Sequence, residues 1–211
     1  MPGYSGVTPD DAEPSCALCA AAGKTCCRAD PAQAHLIFPL SPAERRRLAA
    51  NTADGGETPW AARPNTPDFI SAVHSLFPRD KKRIEELFPA DGEHWSLRLR
   101  PDGACVFLDS DGCRLPRGAR PGYCLLFPVW IVGGTLTLFA SQECLIARKA
   151  GSPARCAGLM GTDRAGLSLT YARLRREWGL EHFTNEMSEL LCKDLPANPC
   201  RETGAGGLCP P

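Results

Sequence analysis

The sequence lacks several features that mark common functional classes. Among its 211 residues, basic and acidic side chains are equal in number, 24 of each, so no net charge attracts a nucleic acid or an anionic membrane. It contains no G-x-S-x-G nucleophile elbow, no EF-hand loop and no glycine-rich nucleotide loop after a predicted strand. These absences argue against a nucleic-acid partner, a serine hydrolase of the elbow type and an EF-hand calcium protein.

Sequence signals for a membrane segment or a secretory leader are also missing. The longest mainly apolar run, residues 129–140, is interrupted by Gly133 and Gly134 and is too short to span a bilayer. The first fifteen residues have neither a cationic start nor an apolar run. We therefore expect a cytoplasmic protein without a membrane partner, in a compartment where thiols stay reduced.

Cysteine, in contrast, is abundant, with twelve in the chain. Clustered cysteines in a reducing compartment more often bind metal than form disulfides, although disulfides or a thiol switch are the alternatives. A thioredoxin-like motif is disfavoured because no apolar strand precedes Cys16. The predicted metal ligands are Cys16, Cys19, Cys26, Cys27, Cys105, Cys113, Cys124 and Cys144.

The spacing within this set limits what the thiols can do. Cys16-x-x-Cys19 allows two thiolates to grip one ion from a tight loop. The Cα atoms of Cys26 and Cys27 should be about 3.8 Å apart, whereas ordinary disulfides need roughly 4.4 to 6.8 Å. Neighbouring side chains in an extended segment point to opposite sides. The pair could therefore face two different ions, or one thiol could be spare.

The remaining cysteines and the histidines are weaker candidates. Cys156 is predicted to be a small buried hydrophobic residue, and the wide spacing of Cys192, Cys200 and Cys209 favours non-ligands. No histidine lies at ligand spacing from a cysteine. His94, next to Trp95, is predicted to be exposed.

Local patterns predict an α+β fold of short helices packed on small antiparallel hairpins. Ser41, Pro42 and Glu44 form a capping-box pattern at a helix start, and Gly133-Gly134 between β-rich runs indicates a hairpin. Helices are predicted over residues 42–50, 66–77, 80–88, 162–178 and 181–191, strands over 95–99, 104–108, 129–132 and 135–139, a turn over 109–112, and a loop over 51–65.

This reading divides the chain into four parts. The predicted parts are a flexible arm (1–15), a cysteine-cluster metal-binding domain (16–150), a helical extension (151–195) and a flexible tail (196–211). The metal centre would be assembled from the N-terminal loop and the central hairpin, so that metal binding contributes to folding.

The order of the motifs resembles the YkgJ-like cysteine-cluster family, described as carrying a putative zinc- or iron-chelating domain. The matching segments span about residues 16–150. They are the CxxC and CC pairs of residues 16–27, the apolar-Pro segment leading to Glu44, Cys105-Val-Phe-Leu108, Gly112-Cys113, Arg120-Pro-Gly-Tyr-Cys124 and Cys144-Leu-Ile-Ala-Arg148. The resemblance implies a metal-chelating domain. A more distant similarity to flagellin lysine N-methylases implies an iron–sulfur enzyme as an alternative.

Ligation by cysteine alone suits either Zn²⁺ or an iron–sulfur cluster of the 4Fe-4S type. The spacing does not match the ferredoxin runs, whereas eight thiols without a histidine ligand favour iron–sulfur slightly. Two functions therefore stay open. One is a metal-binding module that works with a protein partner, and the other is an enzyme whose cluster supports redox or methyl-transfer chemistry.

Overall fold

The α+β class is confirmed by a computed structural model that describes residues 15–23, 25–52, 57–139 and 144–180. Eight α-helices, two 3₁₀-helices (Pro31–Leu36 and Arg117–Ala119) and six short strands occur in these ranges. The helices are α1 (Ser15–Ala21), α2 (Pro42–Ala49), α3 (Pro67–Leu76), α4 (Lys81–Leu87), α5 (Gly122–Leu126), α6 (Leu145–Ala150), α7 (Pro153–Leu159) and α8 (Arg164–Glu177). The strands are β1 (Trp60–Pro64), β2 (Glu93–Leu97), β3 (Leu108–Asp109), β4 (Gly112–Cys113), β5 (Val129–Val132) and β6 (Thr135–Leu138).

The strands form three separate two-stranded antiparallel sheets, β1 with β2, β3 with β4, and β5 with β6. In β5–β6, Val132 pairs with Thr135 around Gly133-Gly134, which confirms the predicted glycine hairpin. The prediction of a continuous loop over residues 51–65 was wrong, because Trp60 pairs with Leu97 and Pro64 with Glu93. Proline tolerates this position because β1 is the edge of a two-stranded sheet.

The predicted strand over residues 104–108 is also largely wrong. Ala104 and Cys105 make only isolated bridges, to Arg28 and Leu99, and regular pairing begins at Leu108. The turn over residues 109–112 is confirmed, with Asp109 opposite Gly112. The long hairpin expected from the sequence is therefore a short one, preceded by residues that pair with the N-terminal part of the chain.

Helix starts follow the capping chemistry expected from the sequence. Ser41 Oγ accepts from Glu44 N–H at 3.1 Å, and the Glu44 carboxylate accepts from Ser41 N–H at 2.7 Å, so the capping box of α2 is complete. Thr66 caps α3 in the same manner, through its side chain and the Phe69 N–H. The helices predicted over residues 66–77, 80–88 and 162–178 correspond to α3, α4 and α8.

Two hydrophobic clusters organise these elements. The larger joins α3, α4, the β5–β6 hairpin and helices α5 to α8 around Trp130, which is 1% exposed and whose indole N–H donates to Leu76 O. The smaller lies beneath β3–β4 and joins Leu48 of α2 to Phe107, Leu108 and Leu115. The candidate site lies where these two clusters meet.

Some predicted segments fall outside the described residues. These are the N-terminal arm apart from Ser15, the helix over 181–191, the end of the helical extension and the tail. Among the described helices, none has the length and apolar character needed to cross a membrane.

A buried ion pair connects α8 to the start of α4. Arg175 donates to both carboxylate oxygens of Asp80, at 2.7 and 3.0 Å, and both side chains are 6% exposed. Asp80 precedes α4 but its side chain makes no capping hydrogen bond there. Its carboxylate accepts hydrogen bonds from Arg175 instead. Two parallel hydrogen bonds give such a pair a fixed geometry.

We expect Asp80→Asn to lower the free energy of unfolding by about 3 to 5 kcal/mol, because it leaves a buried guanidinium without its counter-charge. Urea denaturation at neutral pH measures this change. The matched control is Glu86→Gln, which removes an exposed ion pair with Arg83 and should cost less than about 0.5 kcal/mol. Equal losses in the two variants would contradict the assigned role of the buried pair.

His94 is buried, so the prediction that it is exposed was wrong. Its ring stacks on Phe69 with centroids 3.7 Å apart, and its Nδ1 lies 3.0 Å from Asn65 Oδ1. In β2 the polar residues His94 and Ser96 are buried, whereas the apolar Trp95 between them is 39% exposed. The burial of this strand is therefore the reverse of what its hydrophobic pattern predicts. Burial, with the nearby charge of Arg63, lowers the pKa of His94 to about 4.

This lowered pKa should make stability depend on pH. Between about pH 6.5, the ordinary histidine pKa, and pH 4, the unfolded chain binds a proton that folded His94 does not, so stability falls as pH falls. At about 1.4 kcal/mol per pKa unit the loss is at most roughly 3 kcal/mol. Unfolding free energies measured across this range should change less in His94→Gln than in the wild type, and identical pH profiles would contradict this role of His94.

Candidate metal centre

Eight cysteine side chains, all of those predicted as ligands, line two adjoining cavities of about 340 and 90 Å³. The cavities share four of these cysteines, so the thiols form one connected group. All eight are free thiols. Segments separated by more than a hundred residues thus meet at one place.

The first pair of cysteines lies on a helix and not in the tight loop expected from the sequence. Cys16 and Cys19 belong to α1, where a spacing of three residues places both side chains on one face. Helix α1 rests directly on the β3–β4 turn. A Cβ at Gly112 would lie 2.9 Å from the carbonyl carbon of Cys16, and Gly112 has a φ of 99°. Only glycine therefore allows α1 to approach this closely.

Backbone hydrogen bonds bring Cys27 to the central part of the chain. The Cys105 N–H donates to Cys27 O at 2.7 Å, and the Ala29 N–H donates to Gly103 O at 2.9 Å. Cys113 pairs with Leu108 in the β3–β4 ladder. The predicted assembly of an N-terminal segment on the central hairpin is therefore present in the fold.

The last two cysteines come from the segments on either side of the β5–β6 hairpin. Cys124 lies within α5, and Cys144 immediately precedes α6. The N-terminus of α5 is held by Glu44, whose carboxylate accepts from the Gly122 N–H at 2.8 Å while also capping α2. Glu44 is 1% exposed, and burial raises its pKa. This one carboxylate ties the helix that carries Cys124 to α2.

Arg120 lies between the two cavities and lines both. Its guanidinium donates to Leu115 O at 3.0 Å, to Cys113 O at 3.3 Å and to Cys16 Sγ at 3.4 Å. It thus connects α1 to β4 and places a positive charge beside the thiols. A fixed cation here favours the deprotonated form of neighbouring cysteines.

The thiols differ in how readily they lose a proton. A hydrogen bond from Cys26 lowers the pKa of Cys27 to about 6, and Thr25 and the charge of Arg120 act in the same direction. The same hydrogen bond and burial raise the pKa of Cys26. Burial raises the pKa of Cys105 to about 11 and also raises the pKa values of Cys19, Cys113 and Cys124. Several buried thiols therefore need a strong positive partner to become thiolates.

The described residues that line the cavities include no histidine, aspartate or glutamate. Sulfur donors without carboxylate donors suit zinc or an iron–sulfur cluster and do not suit calcium or magnesium. As the side chains stand, no group of three or more His, Cys, Asp or Glu residues in the described ranges is arranged to hold a metal ion. The sulfurs border open volume, so ligation would draw them toward an ion placed there.

Cysteines outside this group behave differently. Cys156 is fully buried in the larger hydrophobic cluster, as predicted, with its sulfur 3.8 Å from the sulfur of Met160. Cys192, Cys200 and Cys209 lie outside the described residues.

Two site residues have roles that sequence reasoning missed. The capping box identified Glu44 at the start of α2, but nothing local indicated its second contact with Gly122. Arg120 was recognised only as part of the Arg-Pro-x-x-Cys motif, and its contact with Cys16 joins residues 104 positions apart. A signal did exist, since an arginine placed among clustered cysteines is a natural counter-charge.

Comparisons of the chain with family models, curated proteins and solved structures gave no match.

We expect Gly112→Ala to displace α1 and lower the free energy of unfolding by about 1 to 3 kcal/mol more than a matched glycine replacement, because its Cβ would overlap the Cys16 backbone. The control is Gly134→Ala, which also has a positive φ but has no neighbouring atom within 4 Å of the added Cβ. Thermal or urea unfolding measures both variants. Equal destabilisation would mean that the close approach at Gly112 does not matter.

Proposed function

We propose that this protein binds metal through its clustered cysteines, as zinc or as an iron–sulfur cluster. The observation that carries the proposal is the convergence of eight free cysteines from six separate segments on two adjoining cavities whose described lining residues include no histidine or carboxylate. Buried unligated thiols at this density would have no evident use, whereas thiolates around a cation offset their own burial.

The protein's own groups would support either metal. Arg120, fixed by backbone carbonyls, offsets part of the negative charge that four thiolates leave around Zn²⁺ or around a cluster. Arg100 acts near Cys105, where its charge favours the thiolate. A bound zinc would stabilise the fold, and a cluster would supply electron transfer or electrophilic chemistry. The donor set fits both.

A second candidate function is an iron–sulfur enzyme related to the lysine N-methylases. The larger cavity favours it, because beside the thiols this cavity is also walled by Leu125, Phe127, Pro128 and Met160. Apolar walls beside a few polar groups are typical of small-molecule and peptide sites.

The proposal also covers the protein's family, its cellular location and its partner. We propose membership of the YkgJ-like family on the motif order, and a cytoplasmic location because clustered cysteines without a secretory signal suit a reducing compartment. A protein partner would contact exposed apolar side chains such as Val132 and Leu169, which are 44% and 57% exposed.

Metal and acid-labile sulfide, measured on protein purified without oxygen, test the proposed function. Iron and sulfide in similar amounts with a brown colour would identify a cluster, and zinc in colourless protein would identify a zinc site. Protein with neither metal and with paired thiols would contradict the proposal.

Cysteine variants then test the ligand set. Cys105→Ser and Cys124→Ser should each lower bound metal and stability together, since ligation and folding are coupled. Cys156→Ser is the matched control: it alters a buried cysteine that lines neither cavity, so it should keep full metal content even if stability falls. Full metal and full stability in both ligand variants would show that the ligand set is wrong.

A further inference from the structure

Each cavity is lined by six of the eight cysteines, four of which are shared. Cys19 and Cys144 line only the larger cavity, and Cys105 and Cys113 line only the smaller. The other four line both: Cys16, Cys26, Cys27 and Cys124. The thiols therefore surround two volumes, with a shared wall between them.

One group of four thiols lines the smaller cavity and interacts mutually. Each thiol of Cys27, Cys105, Cys113 and Cys124 interacts electrostatically with the other three. The backbone supports this group, because Cys105 N–H donates to Cys27 O. Cys105, Cys27 and Cys113 also share the smaller hydrophobic cluster. We call these four thiols the inner set.

The remaining four thiols, Cys16, Cys19, Cys26 and Cys144, form the outer set. Cys19 interacts with both Cys144 and Cys16, and Cys26 interacts with Cys16. Cys19 and Cys144 pack against the larger hydrophobic cluster and not the smaller one. Every member of the outer set lines the larger cavity.

The two sets adjoin, since Cys26 also interacts with Cys27 and Cys124, Cys19 with Cys27, and Cys113 with Cys16. Neighbouring residues Cys26 and Cys27 thus fall into different sets. The sets also differ in access to solvent. Cys105 is 6% exposed and its cavity holds about 90 Å³, whereas Cys19 and Cys144 are half-buried and their cavity holds about 340 Å³.

We infer, building on the proposed function, that the chain holds two separate four-cysteine metal centres: a closed inner centre that stabilises the fold and an outer centre whose metal exchanges with solvent. Closed four-thiolate sites are typical of structural metals, and an accessible metal is the one that an external ligand can reach. The outer centre is therefore the one at which a chelating ligand or a partner's thiol would act.

The test uses the full chain, reduced and reconstituted with Zn²⁺ alone, with bound zinc counted by native mass spectrometry during exposure to EDTA. The wild type should hold two zinc ions and lose one much faster than the other. Cys19→Ser and Cys144→Ser should each hold one zinc ion, the slowly released one. Cys156→Ser, the control, should keep both ions and both release phases.

The test replaces outer-set cysteines and not inner-set ones, because loss of the buried Cys105 thiol could unfold the chain. One zinc ion in the wild type, two ions released at the same rate, or loss of both ions in Cys144→Ser would overturn the division into two centres while leaving metal binding intact. A wild type that holds neither zinc after reconstitution nor native iron and sulfide would instead overturn the proposed function itself.

Discussion

Like charges repel, and eight cysteines can act together as thiolates only where positive charge compensates them. In this fold the fixed compensation is Arg120, held in place by the carbonyls of Leu115 and Cys113 and directed at the sulfur of Cys16. Arg100 also acts near Cys105, and Arg28 and Arg117 line the larger cavity, but burial still raises the pKa of thiols such as Cys105 and Cys124. The proposed metal would deprotonate them, because a coordinating thiol loses its proton to the metal's charge.

The same site depends on Glu44, which acts at a distance from the sulfurs. Its carboxylate satisfies the N–H groups of Ser41 and Gly122, so the starts of α2 and α5 share one acceptor. Ser41 Oγ and Arg47 also bind Glu177 at the end of α8, which connects this network to the larger hydrophobic cluster. Helix α5, and with it Cys124, is thereby positioned by polar contacts on one side and by packing of Gly122 against Leu174 on the other.

Sequence reasoning succeeded where the signal was local and failed where it was tertiary. The capping box at Ser41 and Glu44 and the Gly133-Gly134 turn are short-range chemistry, and both are present. Strand β1 was missed because its residues Trp60–Pro64 contain a proline and no alternating pattern, and its pairing with β2 is decided by contacts about thirty residues away. Likewise, cysteine spacing selected the eight residues that converge, but it could not show that Cys16 and Cys19 lie on a helix or which thiols border which cavity.

Helix α1 shows why metal binding and folding would be coupled here. It has seven residues, none of which is buried, and a helix this short is not stable by itself in water. Its place is set by the close approach to Gly112 and by the contact of Cys16 with Arg120. If Cys16 and Cys19 ligate a metal together with Cys144, that ion would join α1 to the start of α6 and add to the packing of Cys19 against the larger hydrophobic cluster. The outer centre would then control the position of α1 as well as the chemistry beside it.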